Sequence, residues 1–429
     1  ETVGIIEASA RNSGGNALDL SDLTMHLNPR EEWRQIFHEA WRMERDFYYE
    51  PNMHGVDWLA MREKYGSLLP YAASRSDVVY LIGEMIAELS TSHTYVWGGD
   101  EKREAEDVNV GMLGVDWQVD SRNYRYQFKK IYREADWTDE VFPPLAKSGL
   151  QVQEGEYLLA VNGEEVTTDQ NIYSYFQNQA GKQVALLVNE RPSTEGAREI
   201  TVKPLSSEST LRYNTWVEHN CRVVAEASNG QIGYLHLPDT YMGSAREFPK
   251  YYYSQTRKQG LIIDGRYNGG GLDPDIFLRR PDKPIHGYWT RRYSHDQTIP
   301  EVATRAHMVC ITNRQAGSGG DMLPYEFRKR EMGPIIGTRT WGGLVGVSMF
   351  IQMVDGGTLT APDYRIYNPR GNWVVENVGV EPDIVVDLHS EEMARGHDAQ
   401  LMKAIEVLQQ QIGEDPVTWP EHAPYPVQE

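Results

Sequence analysis

A glycine-rich segment around Ser318 has the composition of a nucleophile turn. Residues 313–321 read Asn-Arg-Gln-Ala-Gly-Ser-Gly-Gly-Asp, after the apolar run 308–311 and before a helix-like stretch, 322–330. A serine between small residues, where a strand turns into a helix, has an uncrowded hydroxyl and unpaired backbone amides beside it. Attack on a carbonyl carbon needs both features. The segment equally fits a loop whose serine only caps the helix.

A second glycine-rich segment could supply hydrogen-bond donors to such a reaction. The predicted strand 261–264 runs into residues 265–271, which end in three successive glycines. Without side chains, their amides can approach a ligand closely. A phosphate loop is disfavoured because no Gly-Lys-Ser/Thr follows and the chain is acidic. If the two segments meet, the amides of Gly270 and Gly319 would bracket a tetrahedral intermediate.

A serine nucleophile needs a base, and His93 is the candidate. It lies in residues 88–95, Glu-Leu-Ser-Thr-Ser-His-Thr-Tyr, between a predicted helix and a Gly-Gly turn. From position alone, a histidine that interacts with the helix dipole is the plainer interpretation. The sequence has no His-Glu-x-x-His or other zinc-ligand spacing. We therefore expect neither a metal nor a cofactor.

Composition limits the class of protein. The chain has 429 residues, 40% of them hydrophobic, and a formal net charge of −20. This charge argues against binding to nucleic acid or to an anionic membrane, and no apolar run approaches the roughly 20 residues of a membrane span. The two cysteines, Cys221 and Cys310, have no Cys-x-x-Cys partner. We expect no disulfide framework and a cytoplasmic location.

The order of predicted elements indicates a multidomain α/β protein with a helical domain, a PDZ-like β-rich domain and an α/β layered catalytic domain. The predicted domains are an N-terminal strand segment at 1–27, the helical domain with Ser92 and His93 at 28–105, the PDZ-like domain at 106–206, the catalytic domain with Ser318 at 207–390, and a C-terminal helix and tail at 391–429. The phrase Gly-Glu-Tyr-Leu-Leu-Ala-Val-Asn-Gly at 155–163 resembles PDZ domains, which capture peptide C-termini by strand addition. This domain could do the same or only pack against its neighbours.

Several longer phrases occur in a fixed order that resembles one family. They are Glu-Trp-Arg-Gln-Ile-Phe at 32–37, Asn-Met-His-Gly-Val-Asp-Trp at 52–58, the segments 88–95, 262–271 and 316–321, Gly-Thr-Arg-Thr-Trp-Gly-Gly at 337–343, and Glu-Asn-Val-Gly-Val-Glu-Pro-Asp at 376–383. Together they closely resemble the C-terminal half of the tricorn protease family, over about residues 20 to 390. That family comprises large cytoplasmic serine peptidases related to the C-terminal processing proteases.

The resemblance implies a role for each matched residue. Ser318 would be the nucleophile, His93 its general base, Ser92 the residue that orients the imidazole, and Glu376 the support of that serine. The amides of Gly270 and Gly319 would form the oxyanion hole. One departure is visible, because the family pattern has an acidic residue directly after the nucleophile. Glycine at this position keeps the amide and loses any role of the side chain.

A contrast with the processing proteases supports a histidine base. They use a Ser-Lys dyad, and Gly343 takes the place of their lysine in the matching phrase. Arg339 nearby stays charged at any working pH and cannot act as a base.

The resemblance implies an endopeptidase that cleaves oligopeptides or unfolded segments through an acyl-enzyme. It also implies a homo-oligomer, a hexamer in the family, with aminopeptidases downstream. The chain starts at Glu1 without a signal pattern. We expect it to be the core half of a larger enzyme, with 1–27 ending a missing propeller. A non-catalytic PDZ-containing peptide-binding scaffold and a non-peptidase acyl hydrolase are the alternatives.

No residue that reads the substrate side chain is identifiable from the sequence. Asp296 and the pair Arg291 and Arg292 lie between the glycine segment and Ser318, where a pocket would fit. They fit solvated loop charges as well.

Overall fold

The structure, a computed structural model, has two compact units. It describes residues 4–5, 16–20, 23–24, 26–100, 107–133, 142–146, 150–422, 424–425 and 427–428. The first unit combines Glu1–Lys102 with Val345–Arg370, and the second combines Arg103–Leu344 with Gly371–Glu429. The expected boundary between residues 105 and 106 lies outside the described residues.

Three helices form the core of the first unit. They are α1 (Pro29–Phe47), α2 (Trp58–Gly66) and α3 (Arg75–Ala87), with short 3-10 turns at Met53–Gly55 and Leu69–Tyr71. Asn28 starts α1 by accepting a hydrogen bond from the amide of Arg30, and Ser74 starts α3 in a capping box with Asp77. Their inward faces carry large apolar side chains, among them Phe37, Trp41, Ile82 and Met85.

A small antiparallel sheet completes this unit from two distant parts of the chain. Tyr95–Trp97 pairs with Thr358–Thr360, which pairs with Phe350–Gln352. Buried Arg75 and Asp355 form an ion pair of 2.5 Å that ties the same two parts together. Further two-stranded pairs are Val345–Gly346 with Tyr364–Arg365, and Gly4–Ile5 with Asn16–Ala17.

These strands differ from the expected domain boundaries. Residues 345–370 fall within the expected α/β domain at 207–390, whereas the structure places them in the unit of the helical domain. Pairing between strands about 260 residues apart leaves no local pattern in the sequence, because each strand is only three residues long.

The second unit begins with a PDZ-like antiparallel sheet. Its strands are Val115–Asp120, Arg125–Ile131, Tyr157–Val161, Val184–Asn189 and Arg198–Val202 in that spatial order, with Glu164–Glu165 paired to the third. A 3-10 turn spans Ile172–Phe176. Alternate residues of the strands point into one apolar core that contains Phe128, Leu158 and Leu186.

The rest of this unit is an α/β layer around a parallel sheet. The strands follow the order Ile232–His236, Gly260–Asp264, His307–Thr312, Ile335–Gly337 and Ile384–Val385, and all neighbours are parallel. The helices are α4 (Ser209–Ala227), α5 (Met242–Tyr252), α6 (Asp275–Leu278), α7 (Gly319–Lys329), α8 (Ser390–Ala394) and α9 (Ala399–Glu414). A 3-10 turn lies at Tyr253–Gln255, and Gly287–Arg291 and Ser294–Ile299 form a separate hairpin. The first two strands are buried throughout because both faces of such a sheet are covered.

Glu44 is an ionisable group buried in the first unit. Its side chain is fully buried, and neither carboxyl oxygen has a hydrogen-bond partner among the described residues. Burial raises its pKa from 4.5 to about 8. The folded protein therefore favours the protonated form. The contribution of this group to stability is complete below about pH 4.5 and is lost as the pH rises towards 8.

We expect Glu44→Gln to stabilise the protein in a pH-dependent way. The gain in free energy of unfolding over wild type should be larger at about pH 8.5 than at about pH 5, by on the order of 3 kcal/mol. Urea denaturation at both pH values measures it. Glu31→Gln, on the exposed start of the same helix, is the matched control. An equal gain for Glu44→Gln at both pH values would contradict the assignment.

Candidate active site

Ser318 lies at a strained turn between a parallel strand and a helix. The strand His307–Thr312 ends six residues before it, and α7 begins at the next residue. The backbone of Ser318 has φ 57° and ψ −119°. A non-glycine residue adopts such a conformation only where the surrounding structure enforces it. The predicted strand-to-helix turn is therefore present, with Ser318 at its sharpest point.

The glycine segment packs directly against this turn. Gly270 has φ 83°, and a Cβ there would lie 2.6 Å from the Cβ of Ser318 and 2.9 Å from the carbonyl oxygen of Gly317. A Cβ on Gly319 would lie 3.0 Å from the amide nitrogen of Gly271. The two segments meet, and only glycine permits the approach.

The amides at this contact have different partners. Gly270 donates to Oδ1 of Asn268 at 2.9 Å, so this amide is engaged. Within the described part of the chain, no acceptor is found for the amides of Gly271 and Gly319. The amide of Gly319 is in the first turn of α7, where backbone donors have no partner in the helix.

A buried carboxylate, Asp321, fixes the turn. It accepts hydrogen bonds from the amides of Ser318 at 2.8 Å, Gly342 at 2.7 Å and Gly343 at 3.1 Å, and from the hydroxyl of Thr340. Burial raises the pKa of Asp321, and these donors counteract it. In the sequence, Asp321 stands out only as the last residue of the segment 313–321. Its place three residues after the N-cap serine was the available signal.

The loop of residues 342–344, whose amides bind Asp321, also binds Glu376. Its side chain is buried, and Oε2 accepts from the amide of Leu344 at 2.6 Å. Its neighbours Val375 and Asn377 have φ of 70° and 63°, so the backbone turns sharply around it. The successive amides of residues 342–344 thus bind the carboxylate beside Ser318 and then that of Glu376.

In the first unit, Ser92 is hydrogen-bonded to His93. Oγ of Ser92 lies 2.9 Å from Nδ1 of His93, and both residues are half-buried. His93 has φ 61°, and its carbonyl oxygen accepts from the hydroxyl of Thr360 at 2.7 Å. When Oγ accepts from Nδ1–H, Nε2 carries the lone pair of a base.

A second histidine, not singled out in the sequence, supports this loop. Nδ1 of His54 lies 2.9 Å from the carbonyl oxygen of Leu89, and the hydroxyl of Tyr48 contacts both His54, at 3.1 Å, and Thr91, at 2.5 Å. These contacts fix the backbone just before His93. His54 occurs in the phrase at 52–58, but its partners are up to 37 residues away, so spacing did not indicate them.

The other candidates have plainer environments. Arg291 and Arg292 are exposed at the turn of a hairpin, and Asp296 follows in its second strand. Cys221 and Cys310 are free thiols. In the part of the chain that the structure describes, no group of three or more His, Cys, Asp or Glu residues is arranged to hold a metal ion. No helix among those residues is long and apolar enough to span a bilayer.

The contact at Gly270 predicts a graded cost of adding a methyl group. Gly371 has nearly the same φ, 81°, but a Cβ there meets nothing within 4 Å. We expect Gly371→Ala to cost about 1 kcal/mol for its backbone conformation. Gly270→Ala should cost a further 1–3 kcal/mol, roughly, for overpacking against Ser318. Equal denaturant midpoints for the two variants would show that the segments do not pack this closely.

Sequence models of known domains match three regions of the chain. The tricorn protease C1 domain matches residues 29–87, the tricorn protease PDZ domain residues 111–207, and peptidase family S41 residues 231–386. The last match contains Ser318, the glycine segment and Glu376.

Similar proteins cover nearly the whole chain. A tricorn-like protease C-terminal subunit of Sulfurisphaera tokodaii is 35% identical over 95% of this chain and 47% of its own length. The tricorn protease of Thermoplasma acidophilum is 32% identical over 89% of this chain and 35% of its length. The crystal structure of the tricorn protease superposes with a TM-score of 0.86 at 30% identity, over 93% of this chain and 38% of that one. The chain thus spans less than half the length of these relatives. With three matching domains in the same order, the chain belongs to the tricorn protease family.

Proposed function

We propose that the chain is the catalytic part of a serine endopeptidase that cleaves oligopeptides or unfolded segments through an acyl-enzyme. The observation that carries the proposal is the strained turn at Ser318, pressed against the glycine segment beside unpaired amides. Family membership supports the same reaction, since the relatives are named proteases.

In this mechanism Ser318 attacks the scissile carbonyl carbon while His93 takes the hydroxyl proton. Collapse of the tetrahedral intermediate breaks the C–N bond, and His93 returns the proton to the leaving amine. Water then attacks the acyl-enzyme with His93 again as base, which releases the acid and restores Ser318. Ser92 would hold the imidazole through Nδ1, as their 2.9 Å contact supports. Glu376 would support Ser92 and complete the tetrad.

The absence of a lysine at residue 343 supports histidine as the base. The backbone of Gly343 is engaged on both sides, since its carbonyl accepts from Ser318 and its amide donates to Asp321. A Cβ there would collide with the ring of Trp341. This position therefore serves the turn through its backbone, and a base has to come from elsewhere.

The oxyanion hole requires two donors near the reacting carbonyl. We propose the amide of Gly319 as the first donor, because it has no acceptor among the described residues. Gly270, the second donor implied by the resemblance, would have to release its hydrogen bond to Asn268. Gly271 is adjacent to Gly319 and needs no such change. We therefore propose that the amides of Gly319 and Gly271 form the oxyanion hole. Gly270, which has no side chain, leaves the space beside Ser318 open.

From family membership we also propose that the chain forms a homo-oligomer, such as a hexamer, and that it is located in the cytoplasm. Aminopeptidases would degrade the peptides that it releases. The PDZ-like domain would bind peptide by strand addition or only pack against its neighbours.

Peptide hydrolysis by variants of the chain tests the proposed roles. We expect Ser318→Ala and His93→Ala each to lower kcat/KM for a fluorogenic peptide by roughly 10⁴-fold, with unchanged thermal stability. Ser92→Ala should cost less, because the imidazole keeps its proton-accepting nitrogen. His397→Ala, at an exposed site, is the control. Wild-type activity in His93→Ala would exclude His93 as the base. A folded but inactive wild type would favour the alternative of a non-catalytic peptide-binding scaffold.

A further inference from the structure

A groove in the first unit collects positive charge in a chain whose formal net charge is −20. The cavity has a volume of about 810 Å³. Its cationic lining residues are Arg30, Arg34, Arg42, Arg45 and Arg62. His38, Trp33 and Trp41 also line it, and Glu63 is the acidic residue among the lining.

The sequence of α1 produces this arrangement. Four of the arginines and His38 recur at steps of three or four residues between positions 30 and 45, which places them along one face of the helix. Arg62 joins them from α2. At 1.5 Å per residue, the stripe extends for about 22 Å.

Part of this charge is not neutralised by any carboxylate of the described residues, and Arg30 donates a hydrogen bond to the carbonyl oxygen of Pro70. Arg42 pairs with Glu39, and Arg45 pairs with Asp46 at 2.7 Å. For Arg34 and Arg62, no carboxylate of the described residues lies within ion-pair distance.

The charges of these arginines also affect His38. Burial is the largest cause of the lowered pKa of His38, and the charges of Arg62, Arg42 and Arg34 lower this pKa further. The guanidinium groups of Arg62, Arg42 and Arg34 therefore lie near the imidazole, and of the three only Arg42 has a carboxylate partner among the described residues, Glu39.

Trp41 holds two of the arginines in place. The guanidinium carbons of Arg62 and Arg45 lie 4.8 Å and 5.1 Å from the centre of its ring. Stacking on an aromatic ring fixes a guanidinium while its N–H edge can still donate. The groove therefore has positioned donors rather than freely moving surface charges.

We propose that this groove binds an acidic segment of a polypeptide. Guanidinium groups pair with carboxylates through two parallel hydrogen bonds, and arginine clusters are a common means of recognising acidic motifs. The 22 Å stripe matches roughly seven residues of extended chain, whereas a single phosphate would reach only two or three arginines. Nucleic acid is disfavoured by the net charge of the chain. Trp33, Leu69 and Pro70 offer apolar surface to the segment between its charges.

Fluorescence anisotropy with a labelled peptide tests the proposal. The probe is an eight-residue peptide of alternating Glu and Ala, compared with a Gln and Ala peptide, on the full chain with Ser318→Ala to prevent cleavage. At low salt we expect the Glu peptide to bind at least about tenfold more tightly. Arg34→Glu with Arg62→Glu should weaken its binding at least about tenfold. The control is Arg122→Glu with Arg395→Glu, which makes the same charge change at exposed sites elsewhere and should have little effect.

Three outcomes would overturn the proposal. They are equal binding of the two peptides, equal weakening by the groove and control variants, and binding of tripolyphosphate without binding of the Glu peptide. If the charge-reversed groove variant loses thermal stability, Arg34→Gln with Arg62→Gln takes its place, with the same expected direction. Because binding is measured without turnover, the result is independent of the proposed peptidase mechanism.

Discussion

The hydrogen bonds of Asp321 are the constraint on which the candidate site depends. A buried carboxylate is costly unless donors surround it. Here three backbone amides and one hydroxyl do so, and one of those amides belongs to Ser318 itself. The same bonds join the turn at Ser318 to residues 342 and 343. The unfavourable backbone conformation of Ser318 persists because this network leaves it no alternative.

Sheet topology brings the two glycine-rich segments together. The strands Gly260–Asp264 and His307–Thr312 are parallel neighbours, so the loops that follow them leave the sheet at the same edge. The first loop is anchored at its start by fully buried Arg266, which binds Asp264 at 2.7 Å and Asp398 at 2.7 Å. The three glycines that follow this anchor, residues 269–271, are the part of the loop that contacts Ser318. The site thus results from ordinary α/β packing with a small number of buried charges.

The sequence was informative where the signal was local. Small residues after an apolar run predicted the turn at Ser318, and the three glycines predicted a close approach, as the structure confirms. The bond from Gly270 to Asn268 was not predictable, because a two-residue spacing does not reveal which acceptor an amide chooses. The network of Asp321 depends on residues about 20 positions away. The strand Thr358–Thr360 belongs to the first unit through long-range contacts, namely its pairing with Tyr95–Trp97 and the packing of Leu359 in the core of the helices. The roles of His93 and Glu376 came from family resemblance and not from their spacing.

The most direct test of the account is covalent labelling with a fluorophosphonate, followed by mass spectrometry of the modified peptide. An activated serine reacts with this probe, whereas a serine that only caps a helix does not. The account predicts a single label on Ser318, none in Ser318→Ala, and labelling at least about a hundredfold slower in His93→Ala. A label on another residue, or an unchanged rate in His93→Ala, would contradict the assignment of nucleophile and base.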